Sequence, residues 1–315
     1  MQTRVKTTNF LLLHFIVFIW GWTAVLGKII TLPFIKLVWI RVFIAMFGML
    51  VYALAKGASL KVPGRSLTRF IGIGIIVGIH WICFYGAVKL SNVSVTLACF
   101  STGTLFTAFI EPVFFKRRIL WYEIFFGLVV IGALLMIFNV ETQYKMGMAL
   151  GVGAALTSSL MAVLNGMMMK QEVEENEEMP RVIDAEKKKI KSAHDPAVMS
   201  FYEMIGCAFC LSVALIATEP FTGDFFNVSS HDWFYIFVLA ICCTTVPFVI
   251  GVQILKEISP YTVSLTLNLE TIYGILFAFF IFRDSETMSF TFYAGALIIL
   301  STIFANAALK SYLRK

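Results

Sequence analysis

The sequence predicts an all-α fold, a polytopic membrane protein with ten transmembrane helices in two inverted five-helix repeats. Three observations predict it: an apolar composition, ten apolar runs of spanning length, and a one-sided distribution of basic residues. Residues of the AVILMFWYC set make up 59% of the 315 residues, and charged residues 14%. Counted with glycine and without tyrosine the apolar fraction is roughly 62%, against about 45–50% in soluble domains, and charge is near half the usual level of about 25%. So much apolar surface has to face lipid. That excludes a soluble globule and a disordered or fibrous chain.

The runs lie near 10–30, 35–55, 69–90, 93–115, 121–139, 146–169, 197–218, 233–255, 260–282 and 287–309. A helix crosses the hydrocarbon core with about 20 residues. Barrel strands would be half as long and would alternate in polarity, whereas these runs are continuous, as helices in lipid must be. The first run follows Arg4 and Lys6 directly, with no small-residue cleavage site, and reads as a retained span.

Ten spans place both termini on one side. With that side cytoplasmic, the inner segments carry nineteen of the 25 Lys and Arg residues, among them Lys56, Lys61, Arg65, Lys116, Arg118 and Lys256. The outer segments carry only Lys36, Lys89, Lys145 and Arg283, and Lys28 and Arg41 lie within spans. The positive-inside rule therefore sets the termini in the cytoplasm, and the short loops fit a bacterial inner membrane. The same rule explains the net charge of +6 without a nucleic-acid partner. All six cysteines fall in apolar runs, where thiols act as small hydrophobes. Cys207 and Cys210 form a CxxC with no His or further Cys beside it, so neither a metal nor a cofactor is expected.

One charged cytoplasmic loop, 170–196, carries six basic and eight acidic residues and reads as a solvated linker. It separates a first repeat, 7–139, from the bulk of a second, 146–310, whose first helix precedes the loop. An odd number of helices per half forces the halves into opposite orientations. Sliding the chain by 168 residues aligns Ser91–Leu97 with Ser259–Leu265, Phe109 with Phe277 and Gly127 with Gly295. The matching order of loop, span and glycine carries more weight than the few identities.

Distributed along the chain are further marks: Trp20-Gly21 followed by Lys28, Arg41 in the second span, Phe84-Tyr85-Gly86-Ala87-Val88 with Ser91 ending the third, and Leu269-Glu270 in the ninth. In order and spacing the chain resembles the drug/metabolite transporter superfamily, specifically its EamA members with two five-helix repeats. It departs where that family commonly has Leu-Glu-Pro, reading Leu269-Glu270-Thr271, and where Gly-Glu ends the fourth and ninth helices, reading Phe115-Lys116 and Arg283-Asp284. The resemblance implies a secondary transporter, most often an exporter of amino acids or other small metabolites.

An ionisable side chain at mid-span costs at least about 2.5 kcal/mol, so those far from an interface are candidates for function. Glu270 lies eleven residues beyond Ser259, about 16 Å of rise into a core of about 30 Å. Thr262, Thr266 and Glu270 recur every fourth residue with Tyr273 close to the same stripe, predicting a polar and aromatic face. His80 is also near mid-span, with Trp81 and Tyr85 one turn apart on a shared face. It reads either as a cavity wall or as a satisfied core histidine. Thr102, in a span rich in small polar residues, either packs closely or lines water.

Lys28 and Arg41 lie within a few residues of the outer span ends, where long side chains snorkel to the headgroups. The competing reading is an outer gate or a cationic anchor for a substrate carboxylate. Trp20 caps a cavity or anchors at the interface. Glu111 and Glu203 sit near the cytoplasmic interface as candidates for inner ion pairs. The partners expected are therefore a small-molecule substrate, the lipid bilayer and, if Glu270 is exposed to each side in turn, protons as the coupling ion. The sequence sets no oligomeric state. The rival class is an integral-membrane enzyme acting on a lipid or lipid-linked substrate. It needs reactive groups, and the sequence has no HExxH, no phosphate-cradling loop, no serine nucleophile signature and only four His.

Overall fold

The computed structural model describes residues 2–116, 118–119, 121–140, 142–177, 195–218 and 225–313. The described residues form helices joined by short turns. In chain order they are α1 (Gln2–Ile29), α2 (Phe34–Ala55), α3 (Gly64–Leu90), α4 (Val93–Phe100), α5 (Gly103–Phe114), α6 (Trp121–Val140) and α7 (Lys145–Glu177). After 178–194, which lie outside the described residues, come α8 (Pro196–Thr218), α9 (Ser230–Ala240), α10 (Val246–Ile254), α11 (Pro260–Phe282) and α12 (Phe290–Leu313). Together α4 and α5 make one span, broken at Ser101–Thr102, and α9 and α10 make another, joined through a π-helical turn at Ile241–Thr245. Among the described residues eight spans are long and apolar enough to cross a membrane, and shorter apolar helices at Ile124–Asn139 and Phe290–Asn306 bring the number to ten. The first eight residues of the charged 170–196 stretch are a helical continuation of α7, so its linker begins later than the sequence suggests.

Local chemistry fixes where spans begin. Pro33 and Pro63 precede α2 and α3, where a missing N–H costs nothing. Asn92 Oδ1 accepts from Val95 N–H at 2.8 Å to cap α4, and Ser259 Oγ accepts from Thr262 N–H at 3.3 Å to cap α11. Those caps are 167 residues apart, and so are the two non-glycine residues with positive φ, Lys116 (51°) and Arg283 (44°), which follow α5 and α11. The repeat register at these landmarks is therefore 167, one residue short of the offset read from the letters.

In the bundle, α3 is packed between α7 and α8, α2 lies on α8, α1 on α11 and α6 on α12. Close approach at the α3–α8 contact is a matter of glycine. A Cβ at Gly74 would overlap the Glu203 carbonyl, and one at Gly206 the Ile71 carbonyl. The GxxxG of Gly74 and Gly78 thus serves internal packing. One core runs through α1, α2, α3 and α8. A second, with Val95, Val130, Ile137, Met148, Phe292 and Ile299, joins α4, α6, α7 and α12. Large apolar side chains such as Phe47, Phe125, Leu128, Phe234, Phe280 and Leu297 point outward, as a lipid-facing surface requires.

Candidate functional site

A central cavity opens between helices of both halves, with about 80 Å³ of space for water-sized molecules, room for several waters. The first half contributes Trp20, Thr23, Arg41, His80, Trp81, Phe84, Tyr85 and Phe100, and the second Ser158, Met161, Cys243, Thr244, Phe248, Leu267 and Glu270. Aromatic rings make most of the wall, and one cation and one carboxylate are set into it.

Arg41 does not snorkel. It is 3% exposed, because Leu37, Val38, Arg41, Ala45 and Met49 form the buried stripe of α2. Its Nη1 donates to Tyr85 Oη at 2.5 Å, its Nε donates to Thr244 Oγ1 at 2.7 Å, and its guanidinium lies 4.4 Å from the Trp81 ring centroid. Thr244 is turned toward it by the π-helical turn, where its own hydroxyl donates five residues back to Leu239 O at 2.7 Å. Hydrogen bonds and a stacked ring hold this buried charge in place of a counter-ion.

Glu270 lines the same cavity at 4% exposure and makes no hydrogen bond or ion pair among the described residues. Arg41 and Glu270 are not ion-paired to one another, so both groups remain available to a bound molecule. His80 satisfies both of its sequence readings. Its Nδ1 lies 2.9 Å from Ala154 O, and its ring sits in the wall beside Phe84 and Phe100. Trp20, Trp81 and Tyr85 are also cavity residues.

Four candidates lie elsewhere: Thr266, Tyr273, Thr102 and Lys28. Thr266 bonds back to Thr262 O at 3.0 Å, and Tyr273 packs edge-on against Phe18 at 5.5 Å. Every fourth residue on a helix drifts by about 40°, so Glu270 is roughly 80° round from Thr262 and leaves the stripe behind. Thr102 is fully buried and donates to Cys99 O at 2.7 Å, closing the break between α4 and α5. The polar face of α11 is instead Ser264, Asn268 and Thr271. Asn268 Nδ2 donates to Thr104 Oγ1 at 2.7 Å, Thr104 to Ser264 O at 2.9 Å, and Thr271 to Leu97 O at 3.1 Å.

Lys28 is tied within the protein as well. Its ammonium meets Glu286 at 2.7 Å and Ser285 at 2.8 Å, above the Phe282 ring at 4.3 Å. Glu286 is 1% exposed and also accepts from Val93 N–H at 3.1 Å and Ser94 N–H at 2.9 Å, the N-terminus of α4. Beside it Asp232 accepts from Thr31 N–H at 3.0 Å and Thr31 Oγ1 at 2.6 Å, and Lys89 donates to Ile30 O. These three groups clasp one end of the bundle shut. Sequence reasoning missed Glu286 and Asp232, since their partners lie about 190 to 260 residues away. It also missed Thr244, although Thr244-Thr245 followed by Pro247 is a detectable irregularity within a span.

A bundle of two opposed five-helix halves around one cavity with buried opposite charges is the architecture of an inverted-repeat membrane transporter for small molecules. More particularly, the chain belongs to the EamA-like transporter family, whose profile matches residues 8–139 and 186–307. No curated protein matches it in sequence. A solved structure titled only as the crystal structure of a protein is similar over 98% of this chain and 99% of that one, with a TM-score of 0.65 and 15% identity, which shows a shared fold.

Proposed function

We propose that the protein is a secondary transporter that exports amino acids or similar zwitterionic metabolites by alternating access around the central cavity. The observation that carries this reading is the pairing of Arg41 and Glu270 in one aromatic-walled cavity with no bond between them. Arg41 offers a positive face to a substrate carboxylate, and Glu270 offers an acceptor to its ammonium group. Trp20, Trp81, Tyr85, Phe84, Phe100 and Phe248 surround the remainder. Two repeats, 7–139 and 146–310, rock against each other around this site, with protons as the coupling ion. Both termini lie in the cytoplasm of a bacterial inner membrane, which makes the Lys28–Glu286 clasp the outer closure.

Proteoliposomes test this against the other classes. Counterflow, in which unlabelled amino acid inside drives uptake of labelled amino acid, is the expected result. Steady ionic conductance without counterflow means a channel, and chemical conversion of a lipid means an enzyme.

A further inference from the structure

We propose that Glu203 of α8 and Asn165 of α7 form a proton-binding site on the seam where both helices pack on α3, and that the seam opens when Glu203 gives up that proton. The coupling of this event to transport rests on the transporter reading above; the proton site itself does not.

Glu203 lies seven residues into α8 and is wholly buried. Neither the central cavity nor the small polar one beside it includes it. Among the described residues its one side-chain hydrogen bond is from Asn165 Nδ2 to Oε2 at 3.5 Å. Three polar atoms here are buried with no hydrogen-bond partner among the described residues: Glu203 Oε1, Asn165 Oδ1 and Ser200 Oγ. Ser200 sits one helical turn before Glu203, on the same face. The main chain leaves little space, since Gly74 packs directly on the Glu203 carbonyl.

The donor and acceptor inventory decides what is bound. A carboxylate only accepts, and so does an amide oxygen. Left as they are, Glu203 Oε1 and Asn165 Oδ1 are two acceptors with no donor. One proton on Oε1 turns it into a donor for Asn165 Oδ1, while Asn165 Nδ2 continues to donate to Oε2. A single proton thereby satisfies both groups in an acid–amide pair, and it occupies no volume in a seam too tight for a hydrated cation.

Among the described residues no charge on the surrounding helices is bonded to Glu203. On α3, Arg69 donates to Met168 Sδ and His80 bonds to Ala154 O. On α7, Lys170 lies over the Phe115 ring, and on α2, Arg41 is held by Tyr85 and Thr244. On α8 itself the nearby titratable groups are Tyr202, which donates to Leu60 O, and the buried thiol of Cys207; α10 carries none. Ionised Glu203 therefore needs water, and water enters only if α8 draws away from α3. The Ser200 hydroxyl can then rotate to donate to the new carboxylate, and the proton passes to the water that has entered.

This seam has leverage on the cavity. Helix α8 packs against α3, which carries His80, Trp81 and Tyr85, and against α2, which carries Arg41. Movement of α8 therefore shifts two cavity walls. The division of labour leaves Glu270 to the substrate and gives the proton to Glu203.

Infrared spectroscopy of the purified protein at neutral pH tests the site without any substrate. The wild-type spectrum minus that of Glu203→Gln should contain a carboxylic-acid C=O stretch, and the wild-type minus Asn165→Leu difference should show the same band displaced. If Glu203→Gln removes a carboxylate band instead, or no band, the proton site is wrong. Should Glu203→Gln not fold, an undisplaced carboxylic-acid band in Asn165→Leu overturns it equally. In proteoliposomes Glu203→Gln should retain amino-acid counterflow and lose accumulation driven by a pH gradient. Undiminished accumulation overturns the coupling while leaving the infrared result to stand. A wild-type protein without counterflow overturns the transporter reading and the coupling together, and the infrared band then decides the proton site alone.

Discussion

Two buried carboxylates sixteen residues apart, Glu270 within α11 and Glu286 just beyond it, occupy opposite surroundings. Glu286 receives Lys28 and two backbone N–H groups at the start of α4, where the helix dipole also favours negative charge. Glu270 receives no hydrogen bond or ion pair from the described residues. Burial alone therefore does not identify a functional acid. A satisfied one fixes geometry, and an unsatisfied one beside a cavity is available to a ligand.

The sharpest way to break this comparison is to remove each group. Glu286→Ala removes the counter-ion of Lys28 and the acceptor of the Val93 and Ser94 N–H groups, and should destabilise the protein by about 3–5 kcal/mol, read as a lowered unfolding midpoint in detergent. Glu270→Gln should lie within about 0.5 kcal/mol of the wild type and yet abolish amino-acid counterflow. If the two exchange effects, the assignment of roles is reversed.

Next in size is Arg41. Lysine cannot reproduce a guanidinium that bonds Tyr85 and Thr244 while stacking on Trp81, so Arg41→Lys misplaces the charge rather than deleting it. Losing a buried, hydrogen-bonded charge contact costs at least about 2 kcal/mol, or roughly 30-fold in affinity. Scintillation proximity or calorimetric binding measures it. An unchanged Kd places the carboxylate elsewhere.

Accessibility separates the candidate residues without reference to energy. Cysteines at His80 and Glu270 should react with small water-soluble thiol reagents and be protected by substrate, and a cysteine at Thr102 should not. Equal labelling of all three would merge the cavity with the helix break. A reporter fused after Lys315 should be cytoplasmic, which would place the clasp formed by Lys28, Glu286 and Asp232 on the outer side.

Much of the fold was legible because membrane spans are written in local composition. Ten runs, the interruption by a charged stretch and the orientation of the halves need only windows of about twenty residues. The aromatic wall was legible for the same reason, since Trp81 and Tyr85 are one turn apart on a single helix. What was hidden is what depends on depth and rotation. Arg41 was assigned to the interface by counting from a span end, yet its helix buries that face. Thr266 and Tyr273 were grouped with Glu270 by a spacing of four that drifts on a real helix. Glu286 sits in the short turn after α11, and nothing near it in sequence announces Lys28 or the N-terminus of α4 as its partners.

The smallest expected effect concerns how firmly the clasp is held. Thr31→Val removes the hydroxyl that donates to Asp232 Oδ2 and leaves the backbone N–H donating to Oδ1, so the loop between α1 and α2 keeps one of its two ties to Asp232. A single hydrogen bond of this kind contributes about 1 kcal/mol, which is roughly a fivefold change in an equilibrium constant. If the clasp is present only while the outer side is closed, the change falls on the balance between closed and open states and not on the cavity. Cavity cysteines should then label faster from outside by roughly that factor, while substrate affinity measured from the cytoplasmic side changes by less than twofold. Equal acceleration from both sides would mean that the substitution loosens the whole bundle, and that the clasp is structural in the same sense as any other buried hydrogen bond.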